Sequence, residues 1–289
     1  MSGGLPRGFA LWLAGCCAFV SGRAEAQWAG LDRMDETIKG LFQSTLVLDD
    51  AFLEDGFVFS YNELYLQGAY AGFGGYLIVP IAALTNGSYS VSTLGNVEVG
   101  GLWDVALPLL NVTLRAGVAA PTVRADNDSQ TTIGVASWCR LTDLALTVPE
   151  TVPVRLGVSL RLPAGILHAR IDTGFDLLLP VGEGVSAKDF DTIFRLNAGV
   201  GMFWRGFGGS LEYALATRVV DTKIEFKEDA LPHALMASIR FRLRWVELYV
   251  AGTLPLASAV VGQIGGFTVG VTSRFTADAG GLRENPEAY

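Results

Sequence analysis

Lysine and histidine are scarce in this chain, with four lysines against 17 arginines and only two histidines, His168 and His233. Neither histidine stands in an HExxH pattern, and no paired CxxC or EF-hand loop is present, so no metal or cofactor is expected. Of the three cysteines, Cys16 and Cys17 lie near the N-terminus and only Cys139 lies farther on, which excludes a small disulfide-stapled scaffold. Basic surface is lacking too. A net charge of -8 argues against nucleic acid or anionic headgroups as partners, since both attract a basic face. Beyond residue 26 the longest apolar run is Tyr76 to Leu84, interrupted by Pro80, too short for a transmembrane helix. Yet the chain is 50% hydrophobic and carries 35 glycines, more apolar than a soluble protein of this size requires.

The first 26 residues read as a secretory signal peptide. Arg7 supplies the positive start, Phe9 to Val20 the apolar stretch, and Ala24-Glu25-Ala26 an A-x-A cleavage site before Gln27. Leu13-Ala14-Gly15-Cys16 also resembles a lipobox with lipidation at Cys16, although the apolar run ahead of it is shorter than the ~7 to 15 residues of a usual h-region. In residues 27–55, Trp28, Leu31, Met34, Ile38, Leu41 and Phe42 recur at helical spacing among Asp32, Asp35, Glu36 and Lys39. That spacing predicts an amphipathic periplasmic helix, either capping a mouth or plugging a lumen.

After residue 90 the period changes to two. Asn96, Glu98, Gly100 and Asp104 oppose Val97, Val99, Trp103 and Val105. Thr113 and Arg115 oppose Val112 and Leu114, and Arg155, Ser159 and Arg161 oppose Leu156, Val158 and Leu160. The pattern returns around Arg195, around Glu212 and around Arg274, and is clearest in IRFRLRWVELYVAG at 239–252. A β-sandwich would alternate as well, but its wet face is usually rich in Lys, Glu, Ser and Thr. Here the polar face is Arg, Gly, Asn and occasional carboxylates, which suits a confined polar space where Arg and carboxylate pair and Gly makes room.

Such segments, joined by alternately short and long connections, resemble Gram-negative outer-membrane β-barrels. The resemblance is to the architecture, not to one subfamily. It implies an all-β fold, a transmembrane antiparallel up-and-down barrel spanning 56–275, with a polar tail at 276–289. Alternation gives about ten strands, at 66–82, 91–107, 111–123, 131–146, 151–162, 191–204, 207–219, 235–243, 246–254 and 264–275. Twelve result if Phe57 to Tyr61 and Leu167 to Leu179 also cross, the second at the cost of turning 108–111 into an extracellular turn. Short turns at 108–111, 147–150, 205–206 and 244–245 would be periplasmic, and the long stretches, including 163–190, extracellular. A weak repeat between 102–118 and 141–158, L-x-D-x-A-L followed by R-x-G-V, suggests two equivalent hairpins. Thr268, Gly270 and Phe275 fit the barrel assembly signal, with Ser273 replacing its first aromatic. The resemblance therefore implies outer-membrane lipid and the barrel assembly machinery as partners, and the cell outer membrane as location.

Candidate lumen residues follow from the polar face: Asp104, Arg115, Arg155, Arg161, Arg195, Glu212, Arg240, Arg242, Glu247, Tyr249 and Arg274. A two-residue turn at Arg244-Trp245 would set Arg242 opposite Glu247 and Arg240 opposite Tyr249; pairing Leu107 with Val112 would set Asp104 opposite Arg115. Directly opposed charges of this kind contribute a few tenths to about 1 kcal/mol. Trp204, Phe207, Trp245 and Phe275 are candidate membrane-interface aromatics at the periplasmic ends.

The expected function is a narrow channel or uptake porin for small solutes through an Arg-lined lumen, with 163–190 as candidate constriction. Against it stand a structural or adhesive barrel and an outer-leaflet hydrolase. The last rests on Ser186, His168, Asp189 and Asp191 in one polar neighbourhood, the composition of any polar loop, so no catalytic residue is assigned.

Overall fold

The computed structural model describes residues 38–49, 53–181, 190–220, 223–224, 232–243, 246–256 and 264–275. In chain order the strands are β1 (Ile38–Asp49), β2 (Val58–Tyr70), β3 (Phe73–Asn86), β4 (Tyr89–Leu94), β5 (Val97–Ala106) and β6 (Asn111–Ala120). After a helix, α1 (Asn127–Ser137), and a 3-10 helix (Leu141–Thr147) come β7 (Thr151–Ala164), β8 (Leu167–Pro180), β9 (Asp191–Trp204) and β10 (Phe207–Val220). The chain continues through β11 (Lys223–Ile224), β12 (His233–Leu243), β13 (Val246–Pro255) and β14 (Ile264–Phe275). Each long strand pairs antiparallel with the next, and β14 pairs with β1, which closes the sheet. β4 and β5 share one stave against β3, and β11 only extends β10. The result is a closed 12-strand barrel.

Closure explains the alternation, because a barrel has no free edge and every residue faces either the lumen or the outside. Inward positions such as Gln43, Glu63, Glu98, Arg155 and Thr268 are buried, while outward positions such as Val99, Val200, Leu211 and Ile239 are more than half exposed. An exposed apolar band on a closed barrel is stable only where the surroundings are themselves apolar.

Both described chain ends lie at one rim, where Ile38 pairs with Phe275. The connections there are 71–72, 107–110, 165–166, 205–206 and 244–245, as expected for the periplasmic side. Ala71 and Gly72, like Arg205 and Gly206, all have positive φ, the geometry of the tight hairpin turn whose twist matches the strands.

Twelve strands, not ten, is the outcome, and both extra crossings occur, in β2 and β8. The 66–82 stretch is not one strand but a hairpin broken at Ala71-Gly72, and 83–90 is a continuation of β3 with a tight turn at 87–88. The segment 131–146 is not a strand. It lies in α1 and the 3-10 helix, so the extra crossing of β8 is offset and 107–110 stays at the rim of the described chain ends. The repeat between 102–118 and 141–158 therefore joins unlike structures. The barrel also starts earlier than residue 56. Lys39, Leu41 and Gln43 of β1 point inward, so the periodicity attributed to a helix over 38–42 belongs to a strand. The signal peptide, Cys16, residues 27–37, Arg244-Trp245 and the tail 276–289 lie outside the described residues.

The connection between β6 and β7, residues 121–150, folds inward. Asp126 caps α1 by accepting from the Ser129 backbone N–H at 2.8 Å. One side of α1 packs Ile133 and Ala136 on Tyr61 and Ala82 of β2 and β3. The 3-10 helix packs Leu141 and Ala145 against Leu178, Ile193, Ala216 and Ala234 on the opposite wall. Residues 121–150 thus cross the lumen from one wall to the other. Each apolar side chain buried there contributes about 1.5 to 3 kcal/mol.

Candidate functional site

The lumen wall is where the charged residues converge. At the turn end the IRFRLRWVELYVAG hairpin has the register its spacing predicts, Arg242 opposite Glu247 and Arg240 opposite Tyr249. Arg240 Nη1 lies 3.3 Å from Glu247 Oε1, and Arg242 Nη2 lies 3.4 Å from Glu247 Oε2. The Arg240 guanidinium sits 5.6 Å from the Tyr249 ring centre and 4.0 Å from a Glu212 oxygen. The Tyr249 ring in turn occupies the space above Gly270, where a Cβ would lie 2.0 Å from a ring carbon. Only glycine allows that approach, which gives Gly270 a packing role.

Asp104 does not face Arg115. The register is shifted by two, so Asp104 opposes Thr113, whose hydroxyl donates to it, and Leu102 opposes Arg115. The four-residue connection at 107–110 pairs Ala106 with Asn111, a closure that side-chain pairing alone does not fix.

Arg115 instead belongs to a cluster at mid-height. Its Nη2 lies 2.7 Å from Glu98 Oε1, and Arg155 Nη1 lies 2.6 Å from Glu98 Oε2. The Tyr76 hydroxyl donates to Glu98 at 2.5 Å. Arg155 also reaches Asp176 at 3.2 Å and Asp143 at 3.5 Å, and Arg195 reaches Asp176 at 2.8 Å. From the 3-10 helix side, Arg140 joins Asp143 at 3.0 Å to Glu63 on β2 at 3.4 Å. Four arginines (Arg115, Arg140, Arg155, Arg195) meet four carboxylates (Glu63, Glu98, Asp143, Asp176), all buried. Among the described contacts the lumen centre is therefore a charge-matched network spanning the bore, not a wall of uncompensated arginine. Removing water strengthens each pairing, which is how a charge this buried is tolerated.

Sequence reasoning missed Glu63, Arg140, Asp143 and Asp176, and saw Glu98 only as a polar position. Arg170, Asp172 and Asp176 alternate along β8, so that signal was available. Arg140 and Asp143 carry none, because inside a lumen a segment has no wet face and hence no periodicity. Arg161 lies half-buried opposite Arg170 on the inner wall. Arg274 stands opposite Lys39 in the register, and its side chain lies outside the described ones.

Trp204 and Phe207 are exposed beside the 205–206 turn, as expected for rim aromatics. Trp245 and the Phe275 side chain lie outside the described residues. Tyr70, Phe73 and Trp103 join the same rim, with the Phe73 and Trp103 rings stacked 5.9 Å apart on neighbouring strands.

The candidate constriction at 163–190 is corrected. It contains the two-residue turn 165–166 and the strand β8, whose strict alternation marks it as wall, while 121–150 occupies the bore. Of the hydrolase grouping, the two described members, His168 and Asp191, do not come together. His168 lies at the turn end of β8, whereas Asp191 starts β9 at the far end and pairs with Arg218 at 2.6 Å. Ser186 and Asp189 are outside the described residues. Within the in-folded segment, burial pushes the Cys139 thiol up to about 12, and the Ser129 N–H holds the Asp126 carboxyl below its usual range.

A closed barrel with an apolar exterior, rim aromatics and a charged interior defines a transmembrane β-barrel of the Gram-negative outer-membrane type. The same fold is found in an outer-membrane channel from Pseudomonas putida F1, at 10% identity and TM-score 0.57 over 87% of this chain and 100% of that one. The NanC porin is also similar, at 8% identity and TM-score 0.52 over 81% of this chain and 98% of that one. These likenesses establish the fold. No protein-family model and no curated protein matches the sequence.

Proposed function

We propose that this protein is a narrow outer-membrane channel for small solutes, with its bore set by residues 121–150. The observation that carries the reading is the inner wall, charged or polar from the turn-end Arg240, Arg242 and Glu247 to the central ion network, with a connection from the opposite end folded across it. A barrel that served only as an anchor would be filled more cheaply with apolar side chains, since replacing buried ion pairs by packed hydrophobics is often neutral or stabilising. Lipid contacts follow from the apolar band. Delivery by the barrel assembly machinery follows from Thr268, Gly270 and Phe275 at the end of the last strand.

Because the central charges are matched, selectivity falls to the turn-end group, where Arg240 and Arg242 meet Glu247 and Glu212. The experiment is conductance of the purified chain in planar bilayers, for wild type, for Arg240→Ala with Arg242→Ala, and for a chain with 127–146 replaced by a short Gly/Ser linker. Channel openings in wild type, larger openings in the shortened chain and a reversal potential shifted toward cations in the double variant support the proposal. Silence in both wild type and the shortened chain would overturn it. That silence would favour the structural reading, which near-complete burial of the central ion network also suits.

A further inference from the structure

Pro80 of β3 stands where the shared stave breaks between β4 and β5. At the break, Gly95 N–H donates to Pro80 O at 2.8 Å, and a Cβ on Gly95 would lie 2.6 Å from Pro80 Cγ and 3.0 Å from Leu146 O. Only a residue without a side chain lets the stave, the proline and the in-folded segment meet this closely. The next residue, Asn96, is completely buried.

Asn96 is bonded to both ends of the in-folded segment. Its Oδ1 accepts from the backbone N–H groups of Thr122 at 3.0 Å and Val123 at 3.1 Å, where the segment leaves β6. Its Nδ2 donates to Val148 O at 2.8 Å, and its backbone N–H donates to Leu146 O at 2.7 Å, where the segment returns to β7. Two donors on one side and a carbonyl on the other fix which end of the amide is oxygen. Thr122 reinforces the entry, its hydroxyl donating to Gly95 O and accepting from Val97 N–H at 3.2 Å.

We infer that Asn96 is the positioning residue of the channel, a clasp that joins the two ends of the 121–150 segment to one point of the wall and so keeps it seated across the bore. The inference rests on the channel reading above. Inside the segment, contacts to the wall are packing and ion pairs formed along its length, each with several partners. At the ends, one side chain serves both strand exits. The β6–β7 pairing, which runs to Val118 opposite Val154, already brings the ends together, and Asn96 adds a fixed point on a neighbouring stave that both ends must leave before the connection can swing out toward solvent. Asparagine is required because the site needs an acceptor for two N–H groups and a donor for one carbonyl in the same plane, with no charge. Asp supplies the first half and not the second.

The test uses the native thiol of Cys139, which is buried within the segment and in no disulfide among the described residues. The full chain is refolded as wild type, Asn96→Ala, Asn96→Asp and Thr122→Val, and barrel formation is verified by heat-dependent electrophoretic mobility. Maleimide labelling of the Cys139 peptide is followed by mass mapping, and conductance is recorded in parallel. Losing three side-chain bonds of ordinary strength shifts the balance between seated and released segment by roughly 100-fold, so Asn96→Ala should label about 100 times faster. Asn96→Asp should fall between Asn96→Ala and wild type, and Thr122→Val should show a smaller acceleration. If Asn96→Ala does not form a barrel, the Asp and Val variants carry the comparison. Labelling at the wild-type rate in all barrel-forming variants overturns the clasp, whether or not the protein conducts. Faster labelling with unchanged conductance keeps the clasp and overturns the segment as the constriction.

Discussion

Glu98→Gln is the sharpest perturbation of the lumen network. Glu98 is completely buried and receives Arg115 at 2.7 Å, Arg155 at 2.6 Å and the Tyr76 hydroxyl at 2.5 Å. A glutamine of the same shape offers one acceptor oxygen and turns its amide N–H groups toward a guanidinium, donor against donor. Arg155 keeps Asp176 and Asp143, but the described contacts leave Arg115 only the Tyr76 hydroxyl at 2.8 Å and its ring face at 4.7 Å. Removing one partner of a buried pair costs about 3 to 5 kcal/mol, and the retained acceptor places this variant at about 3 kcal/mol. The assay is urea unfolding of the refolded barrel in lipid vesicles, read by tryptophan fluorescence and mobility, repeated for Arg115→Met and for the double variant. Because the second change removes the stranded cation, the double variant should lose less than the sum, by about 1 to 3 kcal/mol. A single variant within about 1 kcal/mol of wild type, or a strictly additive pair, would refute the view that these charges depend on one another.

Two glycine substitutions should have opposite signs. In Gly100→Ala the new methyl would lie 2.3 Å from the buried Tyr76 ring and should cost about 1 to 3 kcal/mol, whereas Gly134→Ala, exposed in α1 with nothing within 4 Å, should gain about 0.5 to 1 kcal/mol in the same unfolding assay. Leu211→Arg puts a charge on the lipid face of β10 and should destabilise the vesicle-inserted barrel by about 2 to 4 kcal/mol; a loss near zero would contradict the assigned outside. Cys139 should resist maleimide in the native barrel at pH 8 and react on unfolding, since burial raises the thiol from 9.0 to about 12. A raised folded value means its contribution to stability is full below 9 and is lost as pH climbs through 12, so alkaline titration of unfolding should show a loss in that window that Cys139→Ala lacks.

The arginine-glutamate hairpin was legible in the sequence for a physical reason. A two-residue turn fixes the pairing of its strands, and period two then assigns every side chain to one face, so Arg242 with Glu247 followed from counting. The Asp104 pairing failed for the same reason in reverse, because a four-residue connection leaves the register open and the structure settles it two residues away. β1 was misread because its inward Leu41 and Gln43 and outward Phe42 are preceded by a stretch whose apolar residues also fit a helical period. The hairpin at 71–72 was hidden inside an apolar run with only Ala-Gly to mark it.

By itself the sequence determined that this chain forms a closed, lipid-facing barrel with a charged interior, because alternation is local and every strand repeats it. It did not determine which connection enters the bore or which charges meet there. Glu63 and Arg140 are 77 residues apart, and Glu98 and Arg155 are 57 apart. A segment enclosed by wall on all sides loses the wet face that would give it a period. Pairings across a lumen depend on barrel closure, strand stagger and the seating of 121–150, and these exist only once the whole chain has folded.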